Sequence, residues 1–561
     1  MKWLNGNRIT LVLVGFVATF ACATSEPAMA QLPDVSQHYT IQGIEPPKGA
    51  TDIAWFLVND AGLAVAQYTA WEKTHTGLLE RGTWTVIDVP GSAKCLCSNP
   101  SASGQVPLCF AHTDGVWHSA IYHQGTYQYL PDHPVHQYVL QYMSDDGLLM
   151  TGAIFPPNQP GVCRGLVLNA SLSLFKIFDF PGSKSTVPMG INNAGLIVGG
   201  YQVGGFNIGP GRGFLYDGND FTDIQVPEAS NTCCFSINNN GDIVGGYDPN
   251  GSPGVPWGFI LHKGEWKRFT VPGSSWNGVQ VITDRGQLSG VYSDQNGRSH
   301  GYIATPRVEL NYDGKVDIKD LLILIEHWGQ NYPLCDIGPM PWGDGKIDAN
   351  DLEVLMRYWG QDMDLLSPSL MAHWRLDETE GAVARDSLGR NDATLNGNPL
   401  WQPEGGQVGG ALQFDGVDDY VTTPFIVNPA DGPFSVFVWV KGGAPGQVVL
   451  SEADGANWLC TDSGEGKLMT ELKAQSRHAA APLLSQAVIT GDTWHRIGLV
   501  WSGTRRSLYV DGQEVASDAS DFGRISASGG LHLGAGSTLG PGTFWSGLID
   551  DVHIYNSVVY P

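Results

Sequence analysis

One sequence motif occurs twice almost unchanged, as Ile191-Asn-Asn-Ala-Gly-Leu-Ile-Val-Gly-Gly-Tyr201 and as Ile237-Asn-Asn-Asn-Gly-Asp-Ile-Val-Gly-Gly-Tyr247. Each copy joins a turn rich in Asn and Gly to a short apolar segment, a pattern that predicts a tight turn followed by a β-strand. Weaker copies occur at Val58–Gly62, Ser144–Gly147 and Ile282–Gly286, and a degenerate copy occurs at Pro100–Gly104. The chain therefore contains six copies of one β-rich unit.

The six copies recur at a regular spacing between residues 39 and 306, because their turn glycines stand 42 to 48 residues apart. A repeat of this length, built of short strands and Gly/Asn turns, is typical of β-propeller blades. The last unit stops at Pro306 without its third strand, whereas Tyr39–Pro46 begins much like Phe269–Pro272. We predict a six-bladed β-propeller over residues 31–306, in which an N-terminal strand completes the last blade.

These units resemble the extracellular HAF-type repeat family, and the resemblance covers the whole predicted propeller. It implies an extracellular protein and indicates little about activity. Sialidases also have six blades, but their Asp-box pattern, Ser-x-Asp-x-Gly-x-x-Trp, does not occur in this sequence. The repeated Asn and Gly residues are therefore interpreted as turn residues and not as a catalytic set.

Oxygen-bearing side chains recur along Glu309-Leu-Asn-Tyr-Asp-Gly-Lys-Val-Asp-Ile-Lys-Asp-Leu321, just before an apolar helical segment. A calcium loop takes side-chain oxygens at its first, third, fifth, ninth and twelfth positions, a backbone carbonyl at the seventh and glycine at the sixth. A polar turn that caps the helix is the alternative. Counted from the first residue, the predicted calcium ligands are Glu309, Asn311, Asp313, the carbonyl of Lys315, Asp317 and Asp320.

A second loop of the same kind precedes the next apolar helical segment. Met340 and Trp342 offer no side-chain oxygen at its first and third positions, so a longer loop would bring Asp336 into their place. Two such loops, each followed by an apolar helix that ends at glycine, favour calcium over a simple cap. The predicted ligands of the second loop are Asp336, Asp344, the carbonyl of Lys346, Asp348 and Asp351.

The pair of loops resembles a type I dockerin over residues 308 to 362. The resemblance implies a small α-helical, calcium-stabilised module at residues 307–364 and a cohesin-like protein partner. The family usually carries Ser/Thr at the tenth and eleventh loop positions, where this chain has Ile318-Lys319 and Ala349-Asn350. Because so short a segment buries little core, we expect calcium to supply much of its stability.

From Met371 onward the apolar runs are spaced as in an all-β sandwich. Tyr509-Val-Asp-Gly512 predicts a hairpin turn. The series of runs resembles a LamG-type, concanavalin-like jelly roll, predicted over residues 365–561. Its landmarks are His373–Glu378, Asp386–Gly389, Ala411–Gly416, Asp419–Val421, Phe434–Val440, Trp494–Val500, Leu508–Gly512 and Gly547–Tyr555.

Two neighbouring carboxylates in the last predicted strand are expected to differ in environment. Side chains alternate along a strand, so Asp550 shares the apolar face of Leu548 and Val552 and needs a hydrogen-bond partner or an ion. Asp551 faces the other way with His553 and is expected to be solvated. The family resemblance implies a calcium ion held by Asp386 and Asp550, and a hydrogen-bonded turn is the alternative.

The composition bounds the location and the partners. The formal net charge is −25, from 31 Lys and Arg against 56 Asp and Glu, which argues against a nucleic-acid partner. Residues 1–30 have the features of an export signal: Lys2 and Arg8, an apolar run over Ile9–Ala23, and Ala28-Met29-Ala30 as a cleavage site. No later apolar stretch is long enough to span a membrane, so we predict a secreted or cell-surface protein.

The sequence contains neither of the enzyme motifs His-Glu-x-x-His and Glu-x-Asp-x-x-Glu. We predict a secreted, calcium-binding modular protein that binds carbohydrate or extracellular protein at the cell surface without catalysis. Folding can also bring distant carboxylates together. One alternative is therefore a glycoside hydrolase, or an accessory protein of polysaccharide degradation, with carboxylates at the propeller mouth and the jelly roll as lectin module. A scaffold component that binds only protein is a third interpretation.

Overall fold

The computed structural model describes residues 32–560, apart from 48, 71–72, 81–82, 133–136, 157–158, 160–161, 170–174, 204–210, 249–256, 295–296, 312–313, 333–334, 339–342, 364–366, 368, 430–431, 473–480, 504 and 520–528. The predicted export signal lies outside the described residues. The chain divides into two compact units, residues 1–307 with 336–357, and residues 308–335 with 358–561. The predicted domain boundaries stay predictions.

Six four-stranded antiparallel sheets form the predicted six-bladed propeller. Each predicted Asn/Gly turn joins the first and second strands of a blade. The strands are β1 (Tyr39–Ile44), β2 (Ala50–Val58), β3 (Ala64–Ala70), β4 (Lys73–Glu80), β5 (Thr83–Val86), β6 (Lys94–Cys97), β7 (Val106–Ala111), β8 (Trp117–His123), β9 (Thr126–Tyr129), β10 (Gln137–Met143), β11 (Leu149–Phe155), β12 (Arg164–Asn169), β13 (Phe175–Phe178), β14 (Ser185–Ile191), β15 (Ile197–Gln202), β16 (Arg212–Tyr216), β17 (Phe221–Ile224), β18 (Asn231–Ile237), β19 (Ile243–Asp248), β20 (Trp257–His262), β21 (Glu265–Phe269), β22 (Trp276–Ile282), β23 (Leu288–Ser293) and β24 (Ser299–Pro306).

The N-terminal strand completes the last blade, as the sequence predicted. The strand order of that blade is β1-β24-β23-β22. β1 pairs antiparallel with β24, in a register that runs from Tyr39 opposite Pro306 to Ile44 opposite Gly301. Strands from the two ends of the repeat region therefore share one sheet, and β24 has a partner on each side.

The first Asn of the repeated turn both shapes its own turn and contacts the next blade. The Asn238 Oδ1 atom accepts hydrogen bonds from the N–H groups of Asn240 (3.1 Å) and Asp242 (2.9 Å). Its Nδ2 atom donates to the carbonyl of Thr283 in the following blade, at 3.0 Å. Gly241 completes the turn with a φ of +87°, a conformation that favours glycine. The repeated turn is therefore a bridge between blades.

The first glycine of the Val-Gly-Gly-Tyr segment faces a bulge in the neighbouring inner strand. In the fourth blade the β14–β15 register shifts between Pro188 and Gly190. A Cβ atom on Gly199 would lie 2.1 Å from the Val187 carbonyl oxygen and 2.8 Å from the Pro188 Cα atom. A Cβ atom on Gly245 would likewise lie 1.9 Å from the Cys233 carbonyl oxygen. The repeat requires glycine here because the backbones touch.

We expect Gly199→Ala to destabilise the propeller by about 3 kcal/mol, the upper part of the range for overpacked sites, because the obstructing atoms belong to the backbone. Gly200→Ala is the matched control, since its Cβ atom would lie 3.2 Å from the Cys233 Sγ atom, which is a side-chain contact. Urea unfolding of the two variants measures the difference. Equal losses of stability in Gly199→Ala and Gly200→Ala would show that the backbone at the bulge moves to accommodate the added methyl group.

Two short helices and a β-sandwich follow the propeller in the chain. Within the described residues the α-helices are α1 (Ile318–Glu326) and α2 (Ala349–Arg357). Neither is long and apolar enough to cross a membrane. The strands of the sandwich are β25 (Leu370–Trp374), β26 (Val383–Ala384), β27 (Ala393–Asn396), β28 (Leu400–Gln402), β29 (Ala411–Asp415), β30 (Tyr420–Thr422), β31 (Phe434–Gly442), β32 (Val448–Glu452), β33 (Asn457–Thr461), β34 (Lys467–Thr470), β35 (Leu483–Val488), β36 (Gly491–Trp501), β37 (Arg505–Val510), β38 (Gln513–Ala519), β39 (Leu531–Leu533) and β40 (Ser546–Tyr555).

The sandwich is the predicted jelly roll, built of two eight-stranded antiparallel sheets. One sheet has the order β28-β29-β40-β31-β36-β37-β38, with β25 also paired to β40, and the other has the order β26-β27-β30-β39-β32-β33-β34-β35. Its core contains the fully buried indoles of Trp374, Trp458 and Trp545. The strand β40 lies between β29 and β31, and the two carboxylates at its centre, Asp550 and Asp551, are buried.

Candidate functional site

The last ligand position of the first predicted calcium loop is a buried helix cap. Asp320 is fully buried, and its two oxygens accept hydrogen bonds from the N–H groups of Leu310 and Asp317, each at 2.7 Å. Asp317 caps α1 by accepting from the N–H of Lys319 at 2.8 Å. The cap that was the alternative is therefore present. An oxygen that accepts one hydrogen bond still has a lone pair for an ion, so the cap is compatible with calcium binding.

The rest of the first loop has the backbone shape that a calcium loop requires. Gly314, at the sixth position, has a φ of +76°. The Asn311 Oδ1 atom is buried and accepts no hydrogen bond from the described residues. Glu309 is half-buried, and Asp313 lies outside the described residues. Lys315 is exposed, and its backbone forms an isolated antiparallel β-bridge with that of Asp362. The ion assignment of this loop stays a prediction.

The second loop brings two carboxylates onto backbone N–H groups. Asp351 is fully buried and accepts hydrogen bonds from the N–H groups of Ile337 (2.7 Å), Gly338 (2.8 Å) and Asp348 (2.7 Å). Burial raises the pKa of this carboxyl, and the charge of Asp336 raises it further. A cation bound beside these carboxylates would offset the free-energy cost of ionising them in a buried site.

The Asp336 carboxylate lies against the backbone of the second loop, and its role as a calcium ligand stays a prediction. Its oxygens accept hydrogen bonds from the N–H groups of Asp344 (2.9 Å) and Gly345 (2.8 Å). A Cβ atom on Gly343 would lie 2.0 Å from the Asp336 carboxyl carbon, so the chain closes tightly over this side chain. Asp348 lies 3.9 Å from the Lys346 amine.

Three sets of described residues bring three potential ligand atoms within 4.8 Å of one another, and none of these sets includes a residue of the two predicted calcium loops. Each set has at least one buried or raised-pKa member. The third set lies in the jelly-roll turn that follows β29. The sets are Asp60 with Asp145 and Asp284, His373 with Asp551 and His553, and Asp415 with Asp418 and Asp419.

The first set lies at the mouth of the propeller, where the turns of the six blades surround one pocket. The second residues of these turns are Asp60, Ala102, Asp145, Asn193, Asn239 and Asp284. Backbone N–H groups join several successive turns: that of Asn193 donates to the Asn239 Oδ1 atom at 2.9 Å, and that of Asn239 donates to the Asp284 Oδ1 atom at 2.7 Å. The N–H of Asp284 donates to Asp60 at 3.2 Å. The ring therefore holds its carboxylates in place.

The mouth carboxylates suppress one another's ionisation. Burial raises the pKa of Asp145 to about 6, and the charges of Asp60 and Asp284 raise it further. Burial also raises the pKa of Asp60, with the charge of Asp284 as the next cause. The cavity between them has a volume of about 40 Å³, which holds about three water molecules. The pocket itself therefore fits water or a small ion and not a sugar ring.

Asp550, in the centre of β40, is the most perturbed carboxyl of the jelly roll. Its side chain is fully buried, as the sequence predicted. Its Oδ2 atom accepts a hydrogen bond from the N–H of Val408 at 2.8 Å, whereas its Oδ1 atom accepts none from the described residues. Burial raises its pKa to about 9, and the charges of Asp551 and Asp377 raise it further. This acid lacks a compensating charge.

A glycine-rich segment, residues 406–410, closes tightly over Asp550. A Cβ atom on Gly406 would lie 1.9 Å from the Gly410 carbonyl oxygen and 2.7 Å from the Asp550 Oδ2 atom. A Cβ atom on Gly409 would lie 2.4 Å from the Asp377 Oδ1 atom, which accepts the N–H of Gly410 at 2.6 Å. Both carboxylates thus contact the 406–410 segment, an arrangement that the sequence does not indicate because Asp377 is far from Asp550 in the chain.

Asp386, the other ligand implied by the family resemblance, organises its own turn. Its Oδ1 atom accepts the N–H of His373 at 3.0 Å, and its Oδ2 atom accepts those of Arg390 (3.1 Å) and Asn391 (3.0 Å). Among the described residues no hydrogen bond or ion pair joins it to Asp550. The hydrogen-bonded turn that was the alternative is therefore what Asp386 forms, and shared ion binding with Asp550 stays a prediction.

Asp551 shares a face with His553, as expected, but the expectation that it is solvated was wrong, because that face is buried. The register of β31 with β40 shifts between Phe437 and Trp439, and Asp551 has a φ of +50°. Asp551 lies against His373 and His553, on the face opposite the core residues Val552 and Ile554, and is only 2% exposed. Its Oδ1 atom lies 2.6 Å from the His373 Nε2 atom, and its Oδ2 atom lies 3.5 Å from the His553 Nδ1 atom.

The two imidazoles beside Asp551 are stacked, with ring centroids 3.7 Å apart and planes 20° from parallel. Imidazoles that share an ion at about 2.0–2.1 Å keep their ring centroids about 4.5 Å or more apart, since their ligand angle is about 90° or larger. This group is therefore a buried ion-pair cluster and not a metal centre. Although burial opposes ionisation, the charges of His553 and His373 hold the pKa of Asp551 below its ordinary value.

Comparison with known proteins supports the jelly roll and leaves the activity open. Residues 415–561 match the concanavalin A-like lectin/glucanases superfamily. No curated protein sequence matches the chain.

The solved structures that are similar fall into two groups. Domain 4 of AbnA, a GH43 extracellular arabinanase from Geobacillus stearothermophilus, in complex with arabinotriose, is 19% identical, covers 34% of this chain and 94% of its own, and has a TM-score of 0.27. A mutant of Trypanosoma rangeli sialidase with trans-sialidase activity is 11% identical, covers 96% of this chain and 97% of its own, and has a TM-score of 0.29. These TM-scores are too low to support an argument about function.

Proposed function

We propose that the chain is a calcium-binding, non-catalytic modular protein that binds carbohydrate at the cell surface, with the jelly roll as the binding module. The observation that carries the proposal is Asp550, a fully buried carboxyl with one oxygen that accepts no described hydrogen bond. The superfamily matched by residues 415–561 is one of lectins and glucanases, which supports a carbohydrate ligand.

The donor set around Asp550 fits calcium. Asp550 and Asp377 supply hard carboxylate oxygens, and residues 406–410 supply backbone at a distance that side chains would prevent. Burial and the charge of Asp551 disfavour the ionised form of Asp550, and a bound calcium ion would compensate its negative charge. Asp550 would hold the ion, and the fixed 406–410 segment would present the adjoining loop in one conformation. Pre-ordering of this kind lowers the entropy cost of ligand binding.

The two predicted calcium loops form the second part of the proposal. Buried Asp320 and Asp351 each begin a short helix, and the resemblance to a dockerin supports a protein partner for this segment, of cohesin-like type. We propose that calcium bound by these loops stabilises residues 307–364. Export of the chain, through the predicted signal at residues 1–30, would place both modules outside the cell.

A glycan array read with calcium and with chelator tests the proposal. We expect the intact chain to bind a subset of glycans in calcium, and chelator or Asp550→Asn to weaken that binding about tenfold or more, because the loop loses its pre-ordered conformation. The Asp492→Asn variant is the control, since this carboxylate is exposed on β36 of the same domain. Glycan binding that is unchanged by chelator and by Asp550→Asn would show that it does not depend on calcium. The absence of any glycan ligand on the array would favour a protein partner.

The glycoside hydrolase interpretation retains one specific observation, the carboxylates at the propeller mouth. The pKa of Asp145, about 6, suits a general acid beside an ionised partner. The 40 Å³ cavity argues for a small ion there and against a sugar ring. Incubation of the glycans bound on the array decides the matter, because release of reducing ends that stops with Asp145→Asn would establish an enzyme.

A further inference from the structure

A hairpin of the second blade carries two neighbouring histidines at its surface. His118 lies in β8 opposite Phe110 of β7, and His112 follows the end of β7. The two imidazole centroids are 5.7 Å apart, with planes inclined by 56°. His112 is exposed, and the His118 side chain is 23% exposed. The two rings are therefore close together and open to solvent.

The hydrogen bonds of these histidines determine which ring nitrogen is free to bind an ion. The His112 Nδ1 atom lies 3.1 Å from the Gly91 carbonyl oxygen, and the His118 Nδ1 atom lies 2.8 Å from an Asp132 carboxylate oxygen. A carbonyl and an ionised carboxylate only accept hydrogen bonds, so both Nδ1 atoms must carry the proton. In the neutral rings the lone pair is then on Nε2 in both cases.

Phe110 restricts the orientation of both rings. Its centroid lies 5.3 Å from that of His118 in a stacked arrangement and 5.5 Å from that of His112 in an edge arrangement. A metal-binding histidine almost always donates its other ring N–H to a carboxylate or a backbone carbonyl, which fixes the tautomer and increases the basicity of the ligand nitrogen. Both histidines have such an acceptor at Nδ1: a backbone carbonyl for His112 and a carboxylate for His118.

We propose that His112 and His118 bind a divalent transition ion of the Zn²⁺ or Cu²⁺ class through their Nε2 atoms. Imidazoles bound at about 2.0–2.1 Å to one ion, at ligand angles between about 100° and 130°, place their ring centroids about 5–6 Å apart. The observed 5.7 Å lies within that range, unlike the 3.7 Å of the His373–His553 stack. Neutral nitrogen donors suit these ions and do not suit calcium, so this site is independent of the calcium proposal.

Titration calorimetry of the untagged full-length chain with Zn²⁺ and with Cu²⁺, in excess calcium, tests this site. We expect one equivalent of the ion to bind and to be lost in His112→Gln and in His118→Gln, with Cu²⁺ bound more tightly than Zn²⁺. His123→Gln, on the same strand β8, is the matched control and should keep the equivalent.

The Asp132→Asn variant tests whether the hydrogen bond from His118 to Asp132 contributes to ion affinity. Its loss of a charged acceptor should weaken the ion affinity about tenfold while the chain unfolds as before, because Asp132 is largely exposed. Anomalous diffraction at the zinc edge should place the ion between the two imidazoles. An ion located elsewhere, or an equivalent that survives both His→Gln substitutions, would overturn the proposal.

Discussion

In chelator, the Asp550→Asn variant should have a more stable jelly roll than the wild-type chain at pH 8, by several kcal/mol. The folded pKa of Asp550 is about 9, whereas an unfolded aspartate has a pKa of about 3.9. Because the folded value is the higher one, the unfolded chain releases a proton that the folded chain retains. Stability should therefore fall as the pH rises from about 4 to about 9, by up to about 1.4 kcal/mol per pH unit.

Calcium should narrow the difference in stability between the two proteins. An ion bound beside the ionised carboxylate removes the need for the proton, so saturating calcium should flatten the pH dependence of the wild-type chain. A ligand at about a hundred times its dissociation constant adds about 2.7 kcal/mol to stability. Asp550→Asn should gain nothing from calcium in this domain, and its neutral amide should remove the pH dependence as well.

Hydrogen exchange of peptides from β31 and β40 measures these changes within the intact chain. Asp492→Asn, at the exposed position on β36, should keep both the pH dependence and the response to calcium. Wild-type stability that rises between pH 5 and pH 8 in chelator would contradict the assignment of a neutral, buried acid. Equal stabilisation of both proteins by calcium would mean that any ion binds elsewhere in the domain.

Asp551→Asn should destabilise the jelly roll by about 3–5 kcal/mol, the usual cost of removing one partner of a buried ion pair. The carboxylate lies 2.6 Å from His373 in a site without access to water. Asparagine tolerates the positive φ of this position as aspartate does, so the substitution removes the charge and leaves the bulge. The effect is opposite in sign to that expected for the adjacent Asp550.

The pH dependence should also be opposite. The folded pKa of Asp551 is lowered, so its contribution is present above the unfolded value of about 3.9 and is lost as the pH falls through the folded pKa. A double-mutant cycle with His373→Gln measures the coupling, which should exceed about 1 kcal/mol for residues in direct contact. Additive losses would show that Asp551 stabilises the bulge without help from His373.

The propeller could be predicted because its information is local and repeated. The Asn and Gly of each turn are fixed by short-range geometry, as in Asn238 and Gly241, and six similar units allow only a closed array. The N-terminal strand was predictable for the same reason, since Tyr39–Ile44 supplies the strand that the last unit lacks.

The mouth and the jelly-roll carboxylates were not predictable from local pattern. Asp60, Asp145 and Asp284 are ordinary turn residues in the sequence, and only closure of the ring brings them together. The second position of each turn would have been the sequence feature to compare. The burial of Asp551 was missed because strand alternation predicts which face a side chain shares, here that of His553, but not whether that face is covered.

The pairing of β1 with β24 has a consequence for how the propeller folds. The two strands are separated by the whole repeat region, so the last blade forms by the longest loop closure in the domain. Contacts between distant segments are formed late and slowly. Until β1 arrives, β24 is an unpaired edge that offers its hydrogen-bonding groups to any other chain, which makes the nearly closed propeller an aggregation-prone intermediate. The first strand of the repeat region is thus also the last to take its place.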